Sequence, residues 1–231
     1  MCDQRAPRAV ILDIEGTTTP IAFVQDVLFP YAHARIAAVL QAHHTQPGVA
    51  ALIREAADHL GKPTLDIQEA IAAFLEWSTA DRKIRPLKEL QGMIWKQGYH
   101  DGSLRSPIYP DVVPALREWQ ARGLHIYVYS SGSVEAQRLL FEYSGEGDLT
   151  GYFHGYFDTA IGPKIEPASY RRIQSILQER ADQLLFLSDN AVEIATAHSA
   201  GWQAILVARE SATAQVPAGA IASFLELRFQ V

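Results

Sequence analysis

One cysteine, Cys2, stands in the 231 residues, so no disulfide can close within the chain and no cysteine-rich zinc site can be built. A reducing compartment is the expected setting. Positive charge is also in short supply: 20 lysines and arginines face 26 aspartates and glutamates, for a net charge of -6. That balance works against the broad basic surface a phosphate backbone demands, so nucleic acid is not an expected partner. No stretch approaches the eighteen or so apolar residues of a membrane span. The opening residues run from Met1 to Arg8 into a short apolar run, without the longer hydrophobic region and cleavage site of a secretion signal. The expectation is a cytoplasmic protein with no membrane partner. Internal repeats and low-complexity tracts are missing too. So are a Gly-x-Gly-x-x-Gly after the first strand-like run and a Gly-Lys-Ser/Thr phosphate loop, which leaves a nucleotide-binding module little support.

What remains is an ordinary globular composition, 48% apolar and 20% charged, long enough for one sizeable domain or for one carrying an insertion. Short runs rich in β-branched and aromatic residues read as buried strands, each followed by a helical pattern. They are Ala9 to Leu12, Leu124 to Tyr129, Tyr156 to Ile161, Leu184 to Leu187 and Gln203 to Ala208. Helices are expected at Val134 to Tyr143, at Pro167 to Arg180 and in a segment ending at Gly201. The alternation predicts an α/β fold with a doubly wound parallel sheet.

The hundred or so residues between the first two strands lack strand character. Phe29 to Leu40, Val49 to Leu60, Ile67 to Trp77 and Leu87 to Tyr99 carry apolar residues at spacings of three and four. Breakers separate them at Pro47-Gly48, Gly61-Lys62-Pro63 and Arg85-Pro86. So long a connection is better explained as an inserted helical cap subdomain than as a loop. It is placed at residues 21–105, leaving 1–20 and 106–231 as the α/β core. Trp77, Trp95 and Trp119 sit at helical spacing and are expected in cores. Glu210 to Ala222 reads as a loose connection.

Ligands of open parallel sheets bind at the carboxyl ends of the strands. Asp13 and Glu15 follow the first run, Ser130 and Ser131 the second, Lys164 the third, and Asp189, Asn190 and Glu193 the fourth. Each has a bland reading: a turn, a helix cap, a solvated charge. Their coincidence at one edge is what the bland readings do not require, and phosphoryl transfer gives it a reason. A carboxylate, Asp13, could attack phosphorus and divide one hard hydrolysis into two displacements. Glu15 could protonate the leaving oxygen and later deprotonate water. Asp13 and Asp189, with a backbone carbonyl near Glu15, would suit magnesium. Ser130 could donate its hydroxyl to the phosphate, and Lys164 would add a point charge on it.

With these residues in hand, the sequence resembles the haloacid dehalogenase superfamily, and within it the enolase-phosphatases of methionine salvage. The likeness is carried by Leu12 to Val24, Asp26 to Tyr31, Pro86-Leu87-Lys88 with Leu90-Gln91-Gly92, Tyr129 to Gln137, and Phe157-Asp158-Thr159 with Gly162 and Lys164. It implies Asp13 as nucleophile, with Asp13, Glu15 and Asp189 as ligands of one Mg2+ per subunit. It also implies Ser130, Ser131 and Lys164 on the phosphate, and leaves open whether Asn190 or Glu193 tunes the site. The implied substrate is a small phosphorylated diketone, 2,3-diketo-5-methylthiopentyl-1-phosphate, enolised and then dephosphorylated by a monomer. The superfamily's second aspartate is Glu15 here, as in this family, which moves the acid/base group by roughly 1.5 Å. Serine stands at 188, where threonine is expected. For the enolisation base the sequence offers Glu15, His33, Lys88, Gln91 and Tyr99 without ranking them. The alternatives are a magnesium-dependent sugar-phosphate phosphatase or a metal-free dehalogenase on the same fold.

Overall fold

The computed structural model describes residues 3–209 and 217–230, with side chains for 6–209 and 217–229. Cys2 and most of the expected loose connection, 210–216, lie outside the described residues. Two compact units result: residues up to Ile21 together with those from Ser106 onward, and Ala22–Arg105 between them in sequence.

The α/β unit begins with β1 (Asp3–Arg5) and β2 (Ala9–Leu12). After the helical unit, whose five α-helices take the first five labels, it resumes with α6 (Val112–Ala121), β3 (His125–Tyr129), α7 (Val134–Glu142), β4 (Gly155–Phe157) and α8 (Pro167–Leu177). It closes with β5 (Leu184–Ser188), α9 (Ala191–Ser199), β6 (Gln203–Leu206) and β7 (Arg228–Gln230). Five strands form a parallel sheet in the order β4-β3-β2-β5-β6. The chain winds one way from β2 to β4, then returns to the other side of β2 with β5. The reversal opens a crevice beyond the carboxyl ends of β2 and β5, where such sheets place their ligands.

Successive residues of a strand point to opposite faces, and both faces here are covered. Val10, Leu12, Leu185 and Leu187 pack with Leu116 and Trp119 of α6. Ala9, Ile11, Leu184 and Phe186 pack with Tyr170 and Ile173 of α8. That explains why β2 and β5 read as unbroken apolar runs: every residue of both is buried.

The structure departs from the sequence reading in several places. The third strand ends at Phe157 rather than Ile161, because Asp158 Oδ1 accepts the N–H of Ala160 at 2.9 Å and turns the chain. Helix α8 stops at Leu177, where Gln178 takes φ 56°. The small β1-β7 sheet, with parallel register Asp3↔Arg228 to Arg5↔Gln230, and helix α6 were not anticipated. Asp3-Gln4-Arg5 has no apolar alternation to betray a strand, and Pro114 interrupts the pattern in the first turn of α6.

The helical unit contains a π-helical turn (Phe23–Leu28), α1 (Phe29–His33), α2 (Ile36–His43), α3 (Pro47–His59), α4 (Ile67–Thr79) and α5 (Arg85–His100). The helix expected from Phe29 to Leu40 is thus two helices, broken at Ala34 and Arg35. Pro47 and Pro86, read as breakers, instead occupy first turns of α3 and α5, where a missing N–H costs nothing. Asp66 caps α4 in a full capping box with Glu69. Ile36, Leu40, Leu52, Phe74, Trp77 and Leu90 meet in one apolar core. Trp77 and Trp119 are buried as expected, while Trp95 is partly exposed and donates its indole N–H to the Leu28 carbonyl at 2.8 Å.

Candidate active site

Where β2 ends, the chain folds into a tight turn. The Ile14 carbonyl accepts the N–H groups of Thr17, Thr18 and Thr19 at 3.2, 2.9 and 3.0 Å, and Gly16 N–H donates to Thr19 O at 2.8 Å. Gly16 has φ +67°, and a Cβ built there would stand 2.0 Å from Asp189 Oδ2. Glycine alone satisfies both the left-handed backbone and the approach of the Asp189 carboxylate. From the β5 side, Asp189 N–H donates to Thr17 Oγ1 at 2.9 Å. Two loops distant in sequence are thereby joined at the switch point of the sheet.

Asp13 is 4% exposed. Its Oδ1 accepts Lys164 Nζ at 2.7 Å and its neighbour's N–H, that of Ile14, at 2.8 Å. Its Oδ2 lies 3.0 Å from Ser188 Oγ. Lys164 also reaches Glu193 Oε2 at 2.6 Å, and its carbonyl is fixed by the Tyr170 hydroxyl at 2.8 Å. An ammonium carries three donors, so two carboxylates leave one for an incoming anion. Ser188 Oγ is also 2.9 Å from Glu193 Oε2. One hydroxyl has one proton, so it serves Asp13 and Glu193 together only when one of those carboxyl groups supplies a proton of its own.

The electrostatics are those of crowded carboxylates around one cation. Burial, then the charges of Asp13 and Glu193, push Asp189 up to about 6. Burial and Asp13 likewise raise Glu193, against the pull of Lys164. Burial works against the Lys164 charge, yet Asp13 and Glu193 outweigh it and hold the ammonium above the usual lysine range. Perturbation of this kind in a cleft marks a functional site.

A cavity of about 410 Å³ is lined by Asp13, Glu15, Ser131, Lys164, Asp189, Asn190 and Glu193, with Ile21 and Ala191. Seven of the eight site residues named from sequence therefore share one opening. Ser130 does not line it: that side chain is buried, and its Oγ accepts Gly132 N–H at 3.3 Å. Asn190 lines the cavity and also caps α9, accepting Val192 N–H at 2.9 Å. Of the candidate enolisation bases, Glu15 lines the cavity. The others belong to the helical unit: His33 Nδ1 is 3.1 Å from Ser78 Oγ, and Gln91 and Tyr99 are buried.

Among the described residues no group of three or more His, Cys, Asp or Glu side chains is arranged to hold a metal by itself. The donor set nonetheless fits a hard cation that keeps waters and takes phosphate oxygens. Asp189 is seated against the bare backbone of Gly16, and burial and then Asp13 disfavour its charge, a cost that a bound cation would lower. The sequence reading gave no role to Thr17 or to Ser188 as a bridge. A threonine four residues past Asp13 looks like any turn residue, and its partner Asp189 is 172 residues away.

An aspartate on a strand end, a buried lysine and a second aspartate at the switch point define a class. Residues 7–201 match the haloacid dehalogenase-like hydrolases. The chain is 50% identical over 203 residues to enolase-phosphatase E1 of Pseudomonas aeruginosa strain UCBPP-PA14, covering 88% of this chain and 90% of the relative. It is 50% identical over 204 residues to enolase-phosphatase E1 of Alcanivorax borkumensis, covering 88% and 90%. The crystal structure of UTR4 protein from Saccharomyces cerevisiae superposes with a TM-score of 0.78 at 33% identity, covering 96% of this chain and all of that one. The chain belongs to the enolase-phosphatase E1 family of haloacid dehalogenase-like hydrolases.

Proposed function

We propose that this protein is a magnesium-dependent enolase-phosphatase of methionine salvage. It would convert 2,3-diketo-5-methylthiopentyl-1-phosphate to 1,2-dihydroxy-3-keto-5-methylthiopentene and phosphate. The observation that carries the chemistry is the Asp13 carboxylate, buried and oriented by Lys164, Ile14 N–H and Ser188 at the sheet's switch point. An oriented carboxylate needs no reorganisation before it attacks.

In the phosphatase half, an Asp13 oxygen bonds to phosphorus as the bond to the substrate oxygen breaks, and Glu15 gives that oxygen a proton. Glu15 then takes a proton from water, whose oxygen displaces Asp13 and releases phosphate. Lys164 directs its third donor at a phosphate oxygen, with Ser131 beside it in the cavity. Magnesium held by Asp13, Asp189 and a carbonyl at Glu15 would supply electrostatic stabilisation of the phosphoryl charge. In the enolase half, Glu15 is the base we assign, because it lines the same cavity as Asp13 within the α/β unit. Asn190 and Glu193 would support the ligands, and the protein would act as a cytoplasmic monomer.

The test supplies the diketo phosphate with magnesium and follows phosphate release beside the ultraviolet absorbance of the enol. Release of phosphate with the rise of the acireductone band is expected, and excess EDTA should abolish it. Good turnover of common sugar phosphates with none of the diketone would defeat the assignment. Activity that survives EDTA would defeat the metal.

A further inference from the structure

Arg209 follows the last strand of the main sheet and has no place in the mechanism above, yet its side chain is 4% exposed. Its guanidinium joins three separate pieces of chain. Nε and Nη2 both donate to the Thr17 carbonyl, at 3.0 and 2.8 Å. Nη1 donates to Asp111 Oδ2 at 2.6 Å and to the Ala222 carbonyl at 3.1 Å. The carbon at its centre lies 4.7 Å from the Tyr109 ring centroid and 4.4 Å from that of Phe224. Asp111 is itself held in place, since its Oδ2 also accepts the Ser223 hydroxyl at 3.0 Å and Phe224 N–H at 2.6 Å.

A buried ion pair contributes little net stability, because desolvation offsets the attraction. The geometry here offers a different use. Thr17, whose carbonyl takes two of the guanidinium's donors, is the residue whose hydroxyl accepts the N–H of Asp189. The adjoining Gly16 is where the Asp189 carboxylate rests. Tyr109 N–H holds the next carbonyl, that of Thr18, at 3.0 Å. The path from Arg209 to the cavity is therefore two hydrogen-bonded steps long, and it fixes the turn that separates Asp13 from Asp189.

We propose that Arg209, held by Asp111, is a positioning residue that sets the spacing of the Asp13 and Asp189 carboxylates through Thr17, and so the affinity of the site for a divalent cation. The fork matters as much as the charge: a lysine's single nitrogen cannot span the Thr17 carbonyl and Asp111 as two guanidinium edges do.

The inference rests on the metal reading given above. It is tested by titrating metal-free protein with magnesium in a calorimeter, beside thermal melts. Arg209→Lys and Thr17→Val are compared with wild type and with Ile173→Ala, a control that removes packing from the α8 side of the sheet. Both site variants should bind magnesium about tenfold or more weakly. The control should melt lower yet bind as wild type does. Should Arg209→Lys fail to fold, Asp111→Asn, which removes the charge that holds the guanidinium, takes its place beside Thr17→Val, and wild-type affinity in it would overturn the inference. Site variants that melt lower but keep wild-type affinity would overturn the inference alone. Wild type that bound no magnesium would overturn the metal reading and this inference with it.

Discussion

The helical and α/β units bury very different things. Among the described side chains of the helical unit, no charged group is buried, Gln91 is the one buried amide, and the other buried side chains are aliphatic or aromatic. The α/β unit encloses Asp13, Thr17, Asp111, Lys164, Ser188 and Glu193 among others. An apolar interior stabilises by removing area from water, whereas buried ionised groups must be paired and hydrogen-bonded merely to break even. The first unit is built for packing. The second gives up stability to hold charges in a geometry that water would otherwise relax.

Substitutions in the two units should therefore fail in opposite ways. Asp13→Asn is expected to lower phosphate release by at least about a thousandfold, with circular dichroism unchanged. A loss of structure instead would mean that Asp13 serves the fold. In the helical unit Phe74→Ala empties a fully buried position and should cost about 3 to 5 kcal/mol in urea unfolding, while magnesium affinity of the folded protein is kept. Lys164→Met leaves Asp13 and Glu193 without their shared cation, so it should lose activity and about 3 kcal/mol together. An unfolding midpoint equal to that of wild type would show the cluster to be energetically neutral.

Smaller effects sharpen the contrast. Asp66→Ala removes the acceptor for the N–H groups of Gln68 and Glu69, both at 2.8 Å, and should cost about 1 kcal/mol of stability with kinetics untouched. At the α/β unit's edge, burial and then the neighbouring His125 hold His154 below its ordinary 6.5. The unfolded chain then binds the proton more readily, so stability should fall as pH drops below 6.5 toward the depressed folded value. His154→Gln should flatten that slope in thermal melts taken between pH 7 and pH 5, without moving the phosphatase rate at pH 7.

Much of this was legible in the chain itself. The unbroken apolar runs of β2 and β5 announce strands covered on both faces, because only such strands have no polar side to display. The residues that follow strands could be assigned to one edge because every parallel strand presents its carboxyl end there. Harder to read were elements with no periodicity of their own: the three-residue β1 and β7, the turn after Phe157, and the break at Ala34 and Arg35. Prolines misled in the helical unit, since the same residue that ends one helix can open the next.

Fold class, family and the chemical character of the cavity are written in the chain: Asp13, Glu15, Lys164 and Asp189 stand at successive strand ends of an α/β pattern. These follow from local pattern and residue type, which need no knowledge of neighbours. Only the packed fold puts Lys164 between Asp13 and Glu193, buries Ser130 while Ser131 lines the cavity, and carries Arg209 to Thr17, 192 residues earlier in the chain. Such contacts depend on angles and distances accumulated over the whole fold, and no spacing along the chain encodes them.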